Sequence, residues 1–127
     1  MSIIGNAMTF GGGSGAPELL WTNPSPSASF SPQTVTVATG YSAYLIEFRR
    51  YINNDIYSVL CVPLSDSRRN AVCHLFWSFP IQNLNYYRRI NSATDGAIVF
   101  DHCYQHGGGR NNAFHIPTRI WGVKWTI

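Results

Sequence analysis

Apolar and polar positions alternate through most of this chain with the period of two that a pleated strand imposes. Gln33-Thr34-Val35-Thr36-Val37-Ala38 interleaves polar and β-branched residues, and Thr39-Gly40 closes the run. Tyr44 to Arg49 continues the pattern, with Tyr44, Ile46 and Phe48 on one face and Glu47 and Arg49 on the other, which reads as a central strand. Past the turn-like Asn53-Asn54-Asp55, Ile56 to Val62 is β-rich up to Pro63 and predicts a hairpin with the strand before it. Further strands are expected at Glu18 to Thr22, Ala71 to Phe79, Leu84 to Ile90, Ala97 to Tyr104 and Arg119 to Trp125. Ser65 to Asn70 and Thr94-Asp95-Gly96 separate them, and Gln105 to Asn112 reads as a flexible exposed loop. Seven or eight short strands at such intervals, with no amphipathic helix between them, predict one all-β domain, an antiparallel β-sandwich or jelly roll.

Ahead of that domain, Thr9-Phe10-Gly11-Gly12-Gly13-Ser14-Gly15-Ala16-Pro17 interrupts the pattern. Glycine populates both halves of φ space, so such a run takes a fixed conformation only through outside contacts. Residues 1–17 are therefore expected to be an extended anchoring arm and residues 18–127 the β domain. Ile3, Ile4, Met8 and Phe10 need burial that the neighbouring glycines deny them locally, so the arm should pack on a neighbouring subunit or larger assembly, with Gly11, Gly12 and Gly13 adapting to it.

Composition sharpens this reading. Only 12% of the residues are charged, against about 25% in an average protein, while 45% are hydrophobic and 14% aromatic. A surface so sparsely charged suits a protein partly covered by neighbours, or one that binds neutral polar partners such as sugars. The net charge of +3 comes from nine basic and six acidic side chains, with most of the basic ones in scattered pairs, Arg49-Arg50, Arg68-Arg69 and Arg88-Arg89, expected on exposed strand faces or in inter-subunit pairs. There is no long basic stripe for nucleic acid. Cys61, Cys73 and Cys103 are too few for a disulfide framework and are expected as buried thiols. The opening residues lack the features of a secretory signal, and no apolar window is long enough for a transmembrane helix, so synthesis in a reducing cytoplasm is expected.

Candidate chemistry is sparse. Cys73-His74, His102-Cys103, His106 and His115 invite a metal reading, but adjacent strand residues face opposite ways, so no ligand set and no cofactor is expected. No nucleophile motif is present. Glu47 and Asp101 lie in strand interiors, and pairing with Arg49 or Arg119 is their expected fate rather than hydrolysis. The aromatics offer more. Trp121 and Trp125 fall on one face of the last strand, and Tyr86-Tyr87 precede Arg88-Arg89; either group can fill a core or an interface, or stack on a sugar.

Three segments carry a resemblance that spans nearly the whole chain: Ile4-Gly5-Asn6-Ala7 with Thr9 to Gly13; Leu19-Leu20-Trp21-Thr22-Asn23-Pro24 with Phe30 and Gln33-Thr34-Val35; and His115 to Lys124. Together they resemble the small minor structural and tail-fibre-associated proteins of phages that infect Gram-positive and gut bacteria. The resemblance implies a virion component without catalysis, made in the bacterial cytoplasm and assembled as a homo-oligomer, a trimer by analogy with fibre proteins. It would be anchored to other virion proteins and would decorate the particle or contact a host-surface glycan. Contact is then expected at Tyr86, Tyr87, Arg110, Asn111, Asn112, Trp121 and Trp125, or at the loop Ser65 to Asn70. A carbohydrate-binding module is the alternative.

Overall fold

The strand Ala43–Arg49 buries Tyr44, Ile46 and Phe48 completely and leaves Leu45 and Arg49 half-buried, as its alternation requires. It belongs to a computed structural model that describes residues 16–50, 56–63, 73–75 and 86–125. In chain order the strands are β1 (Glu18–Thr22), β2 (Gln33–Thr36), β3 (Ala43–Arg49), β4 (Ile56–Cys61), β5 (Cys73–Leu75), β6 (Tyr86–Thr94), β7 (Ala97–Gln105) and β8 (Ile116–Val123). They form two antiparallel sheets, sheet I in the order β1-β8-β3-β4 and sheet II in the order β2-β7-β6-β5. This is the all-β sandwich that the strand spacing predicts, and β3 pairs with β4 as the expected hairpin. Among the described residues no helix is long and apolar enough to cross a membrane. The arm through Gly15, the turn Asn53 to Asp55 and the loop Ser65 to Asn70 lie outside the described residues, as does most of Ala71 to Phe79.

The core sits between the sheets. Tyr44, Ile46, Phe48, Ile116 and Ile120 from sheet I meet Val35, Ile90, Ala93, Ile98 and Phe100 from sheet II. Phe100 packs edge-on against both Phe30 and Phe48, at centroid distances of 5.5 and 6.3 Å, joining the layers through one ring. Burying such a side chain contributes about 1.5–3 kcal/mol. At one end of the sandwich the Tyr44 hydroxyl, 3.1 Å from the Ala38 carbonyl, accepts the Gly96 N–H at 3.0 Å and so ties β3 to the β6–β7 turn of the other sheet. Beside it the ring of Tyr41 lies flat on Gly122, leaving no room for a side chain there.

Two strand boundaries differ from expectation. β6 runs on to Thr94, directly into the Asp95-Gly96 turn, because Ala93 faces the core and the hairpin with β7 is continuous. β8 starts at Ile116 and ends at Val123. Pro117 is admitted because the register with β3 shifts between Glu47 and Phe48, a bulge that spares the missing N–H. Trp125 thus lies past the strand end, its backbone N–H donated to Ser42 Oγ at 3.1 Å.

Arg88 departs most from the sequence reading, which places it on an exposed face. Its side chain is 1% exposed, on the core side of β6. Nε donates to the carbonyl of His115 at 2.7 Å; Nη1 donates to Phe30 at 3.1 Å and Asp101 at 2.8 Å; Nη2 donates to Asn112 at 3.3 Å and Phe114 at 3.1 Å. Five carbonyls take up the five-donor fork of a guanidinium. The ring of Phe30 covers it at 5.4 Å. Burial lowers the Arg88 pKa to about 10, so it stays charged at neutral pH. The same cage holds His115, a non-glycine residue at φ 48°, whose N–H reaches the Arg50 carbonyl at 3.0 Å. Its imidazole donates from Nε2 to the Tyr86 carbonyl at 3.1 Å and accepts the Tyr57 hydroxyl at Nδ1 at 2.9 Å.

Replacing Arg88 strands these carbonyls in a dry interior, at a cost of at least about 3 kcal/mol. Arg88→Met should lower Tm by about 10 °C or more, and Arg88→Lys, with charge but no planar fork, should recover only part of that. A wild-type Tm for Arg88→Met in differential scanning calorimetry would refute the cage.

Candidate functional site

The outer face of sheet II is shaped by two successive irregularities in the β6–β7 ladder. Arg88 pairs with Cys103 and Ile90 with Phe100, so Asp101 and His102 together oppose the single residue Arg89. Ile90 pairs with Phe100 and Ser92 with Val99, so Asn91 is a second extra residue, on the partner strand. A bulge re-aims side chains. Here it presents both Asp101 and His102 outward between the buried Phe100 and Cys103.

Around them a polar and aromatic cluster assembles. The Tyr104 ring lies 5.6 Å from that of Tyr87 and 6.0 Å from the His102 imidazole, with the Arg89 guanidinium 5.6 Å from its centre. Asp101 Oδ1 accepts the His102 N–H at 2.7 Å, and Oδ2 accepts the Tyr104 hydroxyl at 3.2 Å with Arg89 at 3.8 Å. Burial alone would raise the Asp101 carboxyl, but the His102 N–H, Tyr104, Asn91 and Arg89 outweigh it and hold the pKa below the ordinary value. Burial and then the Asp101 charge raise Tyr104.

The Gln105 to Asn112 segment closes against this face as a tight, hydrogen-bonded turn. Gln105 N–H donates to the Gly109 carbonyl at 2.7 Å, Gly108 N–H to Gln105 at 3.0 Å and Asn111 N–H to Cys103 at 2.9 Å. Gly107 and Gly108, at φ 109° and 115°, take the left-handed conformations that the turn demands. The turn brings Arg110 back beside Tyr104 as an isolated bridge, with Nη1 at 3.2 Å from His102 Nε2.

Of the candidate residues, Tyr87, Arg110 and Asn112 gather here. Tyr86 does not: it is buried, stacked on Phe114 at 3.9 Å. Asn111 stabilises the turn through the Ala113 N–H at 3.1 Å, and Asn112 is half-buried, its Oδ1 accepting the Cys103 N–H at 2.8 Å. Asp101 pairs with Arg89 rather than with Arg49 or Arg119. Arg89, His102 and Tyr104 were missed as site residues. Their signal is the interval between core positions Ile98, Phe100 and Cys103, which lengthens from two to three and marks the bulge.

The outer face of sheet I has the opposite character. Leu19 pairs with Trp121, Trp121 with Leu45 and Leu45 with Leu60, so one apolar ladder crosses all four strands. Leu19 is 51% and Leu60 44% exposed, and Ile56 and Val62 on or beside the edge strand are more exposed still. Arg119 lies over Trp121 at 4.8 Å and forms a two-pronged ion pair with Glu47, both contacts 2.9 Å. Thr118 adds a bond to the same carboxylate at 2.7 Å. Desolvation opposes these partners, yet together they lower the Glu47 pKa. Cys61 and Cys103 are buried, and burial pushes the Cys103 thiol up to about 12 against the pull of Arg88. Among the described residues no three His, Cys, Asp or Glu side chains gather as a metal site.

Comparison with protein-family models, with curated proteins and with solved structures finds no match to this chain.

A carboxylate with a lowered folded pKa contributes stability that is complete above its unfolded value and lost as pH falls through the folded one. The gap in Tm between wild type and Asp101→Asn should therefore be fully open at neutral pH and narrow as pH drops below 3.8, the ordinary aspartate value. A gap that stays constant from neutral pH to pH about 2, below both values, would contradict this pairing.

Proposed function

We propose that this chain is a non-catalytic binding domain of a phage particle, attached through one outer face and contacting host-surface glycan through the other. The observation that carries the reading is the opposite chemistry of the two faces: an apolar ladder from Leu19 to Leu60 on sheet I, and the Tyr87–Tyr104 cluster with its charged rim on sheet II.

Half-buried tyrosine rings at the surface, beside fixed polar groups, suit sugars, whose C–H faces stack on aromatics while their hydroxyls need donors and acceptors of set direction. The ladder suits a protein neighbour, because contiguous exposed apolar residues mark interaction surfaces. In this reading it takes the other copies of a homo-oligomer, a trimer by the fibre analogy, or another virion protein, and the arm bearing Ile3, Ile4, Met8 and Phe10 completes the attachment. Non-catalytic character is supported by the fate of the reactive groups. Glu47 and Asp101 lie on the outer faces of different sheets, each tied to an arginine, and Cys103 stays protonated at neutral pH. A carbohydrate-binding module outside a virion would use the same sheet II face, and recovery of the chain in purified particles separates the two readings.

On a glycan array the full chain should bind, and Tyr104→Ala should lose most of that binding while its Tm stays within a few degrees of wild type. Leu60→Glu should leave sugar binding intact but lower the sedimentation coefficient of the oligomer. Absence of binding to any glycan, or unchanged binding by Tyr104→Ala, would overturn the sheet II assignment.

A further inference from the structure

The amide of Asn112 fixes the tautomer of His102. Its Oδ1 accepts the Cys103 backbone N–H at 2.8 Å, so the amide cannot flip without setting two donors against each other. The NH2 end therefore faces His102 Nδ1 at 3.1 Å and must donate to it. Nδ1 is thus unprotonated, and the neutral imidazole carries its proton on Nε2. But Nε2 stands 3.2 Å from Arg110 Nη1, and a guanidinium has only donors. Two donors converge on one point of the surface, with no acceptor between them.

The surrounding charge agrees. Asp101, the nearby carboxylate, already has Oδ1 engaged by the His102 N–H and Oδ2 by the Tyr104 hydroxyl, with Arg89 beside it. Among the described residues Arg110 has no carboxylate partner, and it is exposed on a turn held by its own backbone bonds. The Tyr104 ring lies against the His102 imidazole at 6.0 Å, next to the converging donors.

We infer that the sheet II face binds an anionic sugar, whose carboxylate or sulfate parts His102 Nε2–H from the exposed Arg110 and accepts from both while its ring packs on Tyr104. The inference rests on the glycan-binding reading above and narrows it to a ligand class. The anion replaces a repulsive donor pair with two hydrogen bonds, one of them charge-assisted. Asp101 sets the limit of the anion site, since an acidic group placed nearer to it would meet its charge.

Isothermal titration of the full chain tests this with four probes: a glucuronic-acid-terminated oligosaccharide, its methyl ester, the neutral glucose-terminated parent and the sulfated parent. The uronate, the sulfated sugar or both should bind at least about tenfold more tightly than the ester and the neutral parent, the effect of about 1.4 kcal/mol. Which of them does so tells whether the acceptor is carboxylate or sulfate. Arg110→Gln and His102→Phe should each remove that preference, so that on either variant the acidic probes bind no more than about twofold more tightly than the neutral parent does. Equal binding of acidic and neutral probes by the wild type, or a preference that survives Arg110→Gln, would overturn the inference while leaving the glycan reading in place. Failure to bind any of the four by a chain that binds another glycan on the array would overturn the inference alone, and failure to bind any glycan on the array would overturn both.

Discussion

One guanidinium, buried where sheet II meets the β1–β2 and β7–β8 connections, is the constraint on which the rest of this structure depends. The carbonyls that Arg88 binds come from Phe30 just before β2, Asp101 in the bulge of β7, and Asn112, Phe114 and His115 on the approach to β8. Several of these lie where the chain leaves regular pairing, and carbonyls buried without partners cost about 1–3 kcal/mol each. A single side chain supplies the donors that water or a ladder would otherwise give. The cost is a charge buried without a carboxylate against its donors, which shows in the lowered pKa. Such an arrangement is stable only when complete, because every lost bond leaves a group that cannot be solvated.

The same hub reaches the surface. Asp101 and Asn112 give their carbonyls inward to Arg88 and send their side chains out to the sheet II face, where Asp101 engages Tyr104 and Asn112 sets the tautomer of His102. The site is therefore preorganised by backbone anchoring rather than by the packing of its own exposed residues. The turn from Gln105 to Arg110, with its two left-handed glycines, then places Arg110 against His102. Among the described residues sheet I carries no comparable polar site. Its outer side chains form the Leu19–Trp121–Leu45–Leu60 ladder beside one satisfied ion pair.

Much of the sandwich was legible because its signals are periodic. Tyr44, Ile46 and Phe48 alternate into the core as read, the hairpin after them pairs as read, and Glu47 finds Arg119 directly across the ladder. What escaped depends on single departures from period. A bulge shifts the phase by one residue, so Asp101 and His102 share a face that strict alternation denies them. Tyr86 and Tyr87 look equivalent in sequence, yet one is stacked on Phe114 and the other lies at the surface, since neighbours on a strand face opposite ways. Trp125 lies past the end of β8, which stops at Val123, so the alternation that would align it with Trp121 does not reach it. Arg88 gave no local warning at all: its cage is assembled from residues up to 58 positions away, and only the closed fold brings them together.

The central claim, that a caged Arg88 holds the sandwich and its outer site together, is tested most directly by hydrogen exchange at the guanidinium itself. In an NMR measurement of the full chain at neutral pH, the Arg88 Nε–H should exchange only through global unfolding, with protection equal to that of the slowest core amides of β3 and β7. Exchange at the rate of a solvent-exposed arginine would contradict the cage, and with it the account of how the sheet II site is held.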